Sequence, residues 1–332
     1  YCSKYLPRWN YINIAGYHMR EAGATAAQEI GFTLANAIEY VQAMVNAGLD
    51  VDSFAPRISW IFQTHNNFFE EIAKLRALRR LWAKIMKERF GAKTPRSWIF
   101  RAHVQTGGVT LTAQQPMNNV VRATVQALAA VLGGVQSLAI SCYDEGHCIP
   151  SEDAVRQSLR LQQILAYESG VTDTVDPLGG SYYVEFLTNR LEKEASEYVA
   201  KIDGIGGAAA AIEQGYQQKE IHEASYRYQK EVESGKRIIV GVNKFISPSP
   251  KITLSRVSPE VEINQKKKLV QLKKDRDNAK VKQALKRLED VARNKDNTTS
   301  TFLECVEAYA TIGEICDVLR KVFGTQKEIL AF

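Results

Sequence analysis

Long apolar runs are missing from this 332-residue chain: none approaches the ~18 residues needed to cross a bilayer, so no membrane-spanning helix is expected. A basic-then-apolar opening is missing too, so no secretory signal is read. The chain begins at Tyr1 without an initiating methionine, as a fragment or a processed chain would. Cysteine is sparse: Cys2, Cys142, Cys148, Cys305 and Cys316 are odd in number, scattered, and form no CxxC pair. That argues against a disulfide framework and for a reducing, cytoplasmic setting. Cys142, His147 and Cys148 lie close together, but the second half of a zinc site is absent, so buried free thiols are expected. No GxGxxG turn, no Walker loop and no acidic residue placed for a ribose is found.

What is present is an ordinary globular composition, 45% hydrophobic and 24% charged, which suits one or two domains. The net charge of +6 is concentrated in Lys266, Lys267, Lys268, Lys273, Lys274 and Arg276. Such a run reads as a solvated helix face. Nucleic-acid binding would want aromatic platforms or a known module beside the charge, and neither accompanies it.

Short apolar runs alternate with long amphipathic ones. Strands are expected at residues 11–15, 57–62, 98–103 and 136–141, with helices at about 24–47, 67–90, 118–132 and 152–169. Four βα units of roughly 40 residues imply parallel strands with helical crossovers. The fold class is α/β, either a doubly wound sheet or a barrel. Polar residues favour the barrel, because chemically capable side chains follow every strand: Tyr17, His18 and Glu21; Gln63 and His65; Arg101, His103 and Gln105; Ser141, Tyr143, Asp144 and Glu145. A Rossmann sheet would concentrate its signal in one turn. Four units make half of a (β/α)₈ TIM barrel. Beyond residue 169 come helices at about 184–202 and up to 234, a short strand at 237–245, a linker at Pro248 and Pro250, and a charged helical arm from about Glu260. The expected organisation is a half-barrel over 1–200, a helical and short-strand extension over 201–247, and a linker with a C-terminal arm over 248–332.

Six stretches then carry a resemblance. They are Gly16-Tyr-His-Met-Arg-Glu-Ala-Gly23, Phe54-Ala-Pro-Arg-Ile-Ser59, Arg101-Ala-His-Val-Gln-Thr-Gly107, Leu111-Thr-Ala-Gln-Gln115, Asp176-Pro-Leu-Gly-Gly-Ser181 and Gly241-Val-Asn-Lys244. Collinear from about Arg8 to Phe245, they resemble the methylmalonyl-CoA mutase family, large subunit. The arm, with Tyr309-Ala-Thr-Ile-Gly-Glu314, is similar to the end of that subunit.

The resemblance implies an acyl-CoA threaded through a barrel of which this chain supplies about strands five to eight. Adenosylcobalamin would lie across the carboxyl end. Its lower ligand would come from a separate domain, in several members a small cobalamin-binding subunit; the Asp-x-His-x-x-Gly motif of that domain is absent here. The implied reaction is a radical carbon-skeleton rearrangement of a short branched acyl-CoA. By resemblance, His18 bonds the thioester carbonyl and Tyr17 presses on the substrate. Arg8, Arg57, Ile58 and Ser59 fall where the coenzyme A tail is held. Glu21, His103, Gln105, Ser141, Glu145 and Gly146 fall toward the cofactor.

Departures from the family pattern matter. Ser141 stands where an asparagine is usual, Val109 where a tryptophan is, and Arg20 where carboxylate-substrate mutases have glutamine. These lean toward a 2-hydroxyisobutyryl-CoA or isobutyryl-CoA mutase relative. Because half a barrel exposes two strand edges, the isolated chain is expected to be inactive. It would need the N-terminal barrel half, or a second large-subunit chain, as partner. A truncated, non-catalytic fragment and an unrelated barrel using His18 or His103 as an acid–base group are the other readings.

Overall fold

The computed structural model describes residues 1–248 and 256–325. These fall into two compact units, residues 8–248 on one hand and residues 256–325 with residues 1–7 on the other.

In the larger unit, four strands form one parallel sheet among the described residues: β1 (Ile12–Ala15), β2 (Ile58–Thr64), β3 (Ala102–Thr106) and β4 (Ser137–Ala139), bonded in that order. Helices Ala26–Asn46, Phe68–Lys84 and Asn118–Leu132 fill the three crossovers, and Glu152–Tyr167 follows β4. Local chemistry sets their ends. Thr25 and Gln28 cap the first helix reciprocally, at 3.2 and 2.9 Å. Gly48 and Gly91, with φ of +84° and +64°, end segments where a side chain would be strained.

Parallel crossovers are right-handed. When the strand order never reverses, each such crossover lays its helix on the same face. Burial follows that rule. Ile14, Ile58, Trp60, Phe62 and Val104 share one core with Ile30, Leu34, Leu75, Leu78 and Trp82 of the helices. Trp60 meets Trp82 edge-on at 4.7 Å between centroids. The alternate residues face the other way and are aligned in register: Asn13 with Ser59, Ile61 with His103 and Ser137, and Gln63 with Gln105 and Ala139. That second face is polar, and apart from Gln63 its residues are half-buried or exposed.

Two expectations are corrected. The third strand starts at Ala102 rather than Trp98, because Thr94 and Pro95 open a short helix, Pro95–Trp98. Residues 237–245 form turns with one isolated bridge, Val240 to Lys244, rather than a strand. There the Asn243 amide closes the chain on itself, donating to Val232 and Arg237 carbonyls at 2.9 and 2.8 Å. Of the linker prolines, Pro250 lies outside the described residues. The smaller unit is helical: Pro259–Asp275, Asn278–Arg293, Thr299–Glu307 and Ile312–Phe323. The last three enclose a core of Val281, Ala284, Leu288, Cys305 and Ala308. The lysine-rich helix Pro259–Asp275 buries no residue.

Candidate active site at the two ends of the sheet

The carboxyl end of β1 turns through Gly16 into the helix Tyr17–Glu21. The Gly16 N–H donates to Ile61 O at 2.9 Å, tying the turn to β2. A Cβ on Gly16 would stand 2.6 Å from Thr33 Oγ1 and 2.8 Å from the Phe62 ring, so only glycine permits this approach. It sets Tyr17 and His18 side by side above the sheet, ring centroids 5.8 Å apart and edge to face. Burial raises the Tyr17 hydroxyl pKa, and the hydrogen-bonded Glu21 carboxylate and Glu145 raise it further. Tyr17 therefore stays a protonated donor across the ordinary pH range.

Glu21 reaches across to the end of β2 and to the turn that follows β3. Its carboxylate accepts the Val109 N–H at 2.9 Å and a short bond from Gln63 Nε2. Gln105 donates to Ser141 Oγ at 3.3 Å, and the Ser141 hydroxyl donates to Thr106 O at 2.8 Å. Glu145 accepts the Cys142 N–H at 2.6 Å, closing its own loop; burial raises its pKa. Gly146 packs on the Thr112–Ala113 backbone, where a Cβ would come within 3.1 Å. His103 sits lower on the polar face, its Nδ1 2.6 Å from Ser137 Oγ, with its pKa lowered by burial.

The amino end of the sheet is different. Arg57 ends the 3₁₀ turn Ala55–Arg57 just before β2, and Ser59 Oγ donates to Ile12 O at 3.2 Å. Ile58 packs into the core. Arg8 is exposed in the segment before β1. Two cations join Arg57: Arg101, which the sequence placed at the end of the third strand but which precedes β3 and donates to Pro56 O, and Arg96, which the sequence did not single out. Burial lowers the Arg101 pKa, and Arg57 and Arg96 lower it further. Arg96 rides on the Pro95–Trp98 helix, which Asp52 anchors through Lys93 N, Thr94 N and Ser97 Oγ at 2.9, 3.2 and 2.6 Å. From Ser59 to Thr64 is five strand steps, roughly 16 Å. The two ends are thus separated by about the length of one strand, with the polar face between them.

Residues 1–325 match the family model described as Methylmalonyl-CoA mutase. The chain belongs to the methylmalonyl-CoA mutase family. It is 46% identical to the 2-hydroxyisobutanoyl-CoA mutase large subunit of Aquincola tertiaricarbonis, across 100% of this chain and 60% of that protein. It is 44% identical to the methylmalonyl-CoA mutase of Rhizobium meliloti, across 98% of this chain and 46% of that protein. To the methylmalonyl-CoA mutase large subunit of Propionibacterium freudenreichii it is 43% identical, with the same two shares. The chain spans about half the length of the curated relatives it matches. No described helix is long and apolar enough to cross a membrane.

Beneath the site of this family member lies a buried ion cluster that sequence reasoning did not anticipate. Lys74 Nζ is 2.6 Å from Glu29 Oε2, 2.5 Å from Glu71 Oε2 and 2.6 Å from Gln63 O. Arg20 is 3.1 Å from Glu71 and also donates to Ala24 O. The guanidinium of Arg20 is therefore engaged within the protein. Burial raises both carboxyls; at Glu71 the cations Lys74 and Arg20 outweigh it, and at Glu29 burial wins. The legible signal was charge on an apolar helix face: Glu71 and Lys74, three apart, flank Ile72 and Ala73 in the buried stripe. A cavity of about 760 Å³ lies beside this cluster, lined by Arg20, His65, Glu70, Arg190, Tyr228 and Arg237 among others.

Proposed function

We propose that the chain is the C-terminal half, about strands five to eight, of an acyl-CoA-binding (β/α)₈ barrel in an adenosylcobalamin-dependent acyl-CoA mutase. One observation carries this reading. The same polar sheet face joins Arg57, Arg101 and the Arg96 helix, packed together at its amino end, to a Tyr–His pair and carboxylates at its carboxyl end. Helices all on one face, with strand order unreversed, support a barrel over a doubly wound sheet, whose two faces would both be apolar. The three-part organisation at 1–200, 201–247 and 248–332 is retained in this proposal.

In this reading Arg57, Arg96 and Arg101 hold the coenzyme A phosphates, with Arg8 and Ser59 beside them, because the nearby Asp52 is taken up by Lys93, Thr94 and Ser97 and leaves these guanidiniums to phosphate oxygens. His18 donates to the thioester oxygen, where charge develops as the acyl group moves. Tyr17, protonated and braced by Glu21, confines the reacting carbon skeleton and excludes water. The carboxyl end fits the amide-rich corrin ring. Glu21, Gln105 and Glu145 offer donors and acceptors, and Gly108 leaves the backbone open beside Glu21, 3.3 Å from where its Cβ would be. When bound, adenosylcobalamin would supply the radical that starts the rearrangement. Its lower ligand would come from a separate domain or a small cobalamin-binding subunit. His147 is engaged with Ala113 O at 2.8 Å.

For substrate, 2-hydroxyisobutyryl-CoA or isobutyryl-CoA is the second reading beside methylmalonyl-CoA, favoured by Ser141 and Val109 at the cofactor end. The test is to assemble the chain with the remaining barrel half and a cobalamin subunit, and assay isomerisation of all three thioesters. His18→Ala is expected to lower kcat on the order of a hundredfold. Arg57→Ala is expected chiefly to raise KM. An assembly that binds neither acyl-CoA nor adenosylcobalamin would overturn the proposal.

A further inference from the structure

The buried ion cluster lies beneath the carboxyl end of the sheet, and its bonds converge on one residue of the site. Lys74 Nζ donates to the Gln63 carbonyl at 2.6 Å, and the Gln63 N–H donates to Glu29 Oε1 at 3.1 Å. Both backbone groups of Gln63 are thus clamped by a Lys74–Glu29 pair that has no exposure to solvent. The clamped residue then works outward: its side-chain amide donates to Glu21, whose other oxygen holds the Val109 N–H at 2.9 Å. Glu21 also raises the Tyr17 hydroxyl pKa through a hydrogen bond. Arg20, next to Glu21 in the same short helix, is drawn the opposite way, onto Glu71. One helix turn is therefore pinned from both sides.

We propose that Lys74 and Glu29 are positioning residues of the site. They fix the end of β2 so that Gln63 holds Glu21 against the Val109 turn. This rests on the functional reading above only in what Glu21 faces; the mechanical coupling stands on the geometry alone. The chemistry suits the task. A charged pair in a dry interior is directional and unyielding where an apolar contact would slide. Close packing passes the constraint along, since Gly107 leaves just enough room, its Cβ position being 3.0 Å from Gln63 Cδ.

The test uses the full chain without cofactor or substrate. Lys74→Met with Glu29→Gln removes the pair together and keeps Arg20 with Glu71, so no uncompensated charge is left buried. Amide hydrogen exchange is the readout. Exchange at Val109 is expected to accelerate at least about tenfold while amides of helix Glu152–Tyr167 change less than about twofold. Unchanged exchange at Val109, or equal acceleration everywhere, would sink the proposal. Gln63→Met is the second variant, should the first not fold. It keeps the cluster and cuts only the outward bond, and the same local loosening at Val109 is expected; its absence counts equally against the coupling. In the assembled enzyme, kcat should fall on the order of tenfold with KM for acyl-CoA unmoved. Local loosening with both constants unmoved would overturn the positioning role. If the wild-type assembly shows no isomerisation, the functional reading fails while the exchange result still decides the coupling.

Discussion

At Gly16 the need for glycine is steric rather than conformational. Its φ of −91° suits any residue, but a methyl group there would collide with Thr33 and Phe62. Gly16→Ala is expected to destabilise the chain by about 1–3 kcal/mol, as overpacking does, and to tilt the Tyr17–His18 turn; urea unfolding reads the first effect. His65 gives a second prediction. Burial first, then Arg20, lower its pKa to about 3 from an ordinary 6.5. The unfolded chain therefore takes up a proton at His65 below about pH 6.5, while the folded chain resists it down to about pH 3. Stability from this group is full above pH 6.5 and is lost as pH falls toward 3, at up to about 1.4 kcal/mol per pH unit. Glu71 acts in a lower window, because its carboxyl starts from 4.5 and lies at about 2 when folded. Urea titrations between pH 6.5 and 5 should show a slope in the parent and a flatter line in His65→Gln. Equal slopes would show that His65 is not the group responsible.

Elements were legible where their pattern was long and periodic. The helix at 118–132 was read to the residue, most other long helices were placed with their ends misjudged, and the run up to 234 is broken at Gly215 into Ala208–Glu213 and Tyr216–Glu233. What sequence could not show was competition between neighbours. Trp98-Ile-Phe looks like a strand start, yet Asp52, 45 residues before Ser97, captures that turn and makes it helical. The same long-range bond hid Arg96, which looked like one more surface arginine until the anchored turn set it near Arg57 and Arg101. The pairing of Glu29 with Lys74 stayed invisible for a similar reason, although Lys74 on an apolar helix face hinted at a buried charge. Glu29 reads as an ordinary polar residue in its own helix, and only the fold brings the two to 2.6 Å. If Asp52 does hold this element for coenzyme A binding, Asp52→Ala should raise KM for acyl-CoA and leave kcat unchanged. A matching loss in kcat would place the Pro95–Trp98 helix in some other role.

For the whole molecule, the sheet raises a question of completeness. β1 and β4 each have a strand partner on one side only among the described residues. Open parallel edges are a liability that proteins cover, pair or close. The polar face between them makes the same demand: Asn13, Ser59, His103 and Ser137 would be well served in the lumen of a barrel and poorly served under a layer of apolar helices. The two observations agree on closure by further strands. Under the proposed barrel, adding four further βα units should pair both edges at once. Hydrogen exchange can follow that directly. In the isolated chain, backbone amides on the outer edges of β1 and β4 should exchange fast, while those between β2 and β3 stay protected by their ladder. On assembly the edge amides should slow together, by on the order of a hundredfold or more, as they enter ladders of their own. Slowing on one edge alone would indicate an open sheet extended from one side, and the barrel reading would fall with it.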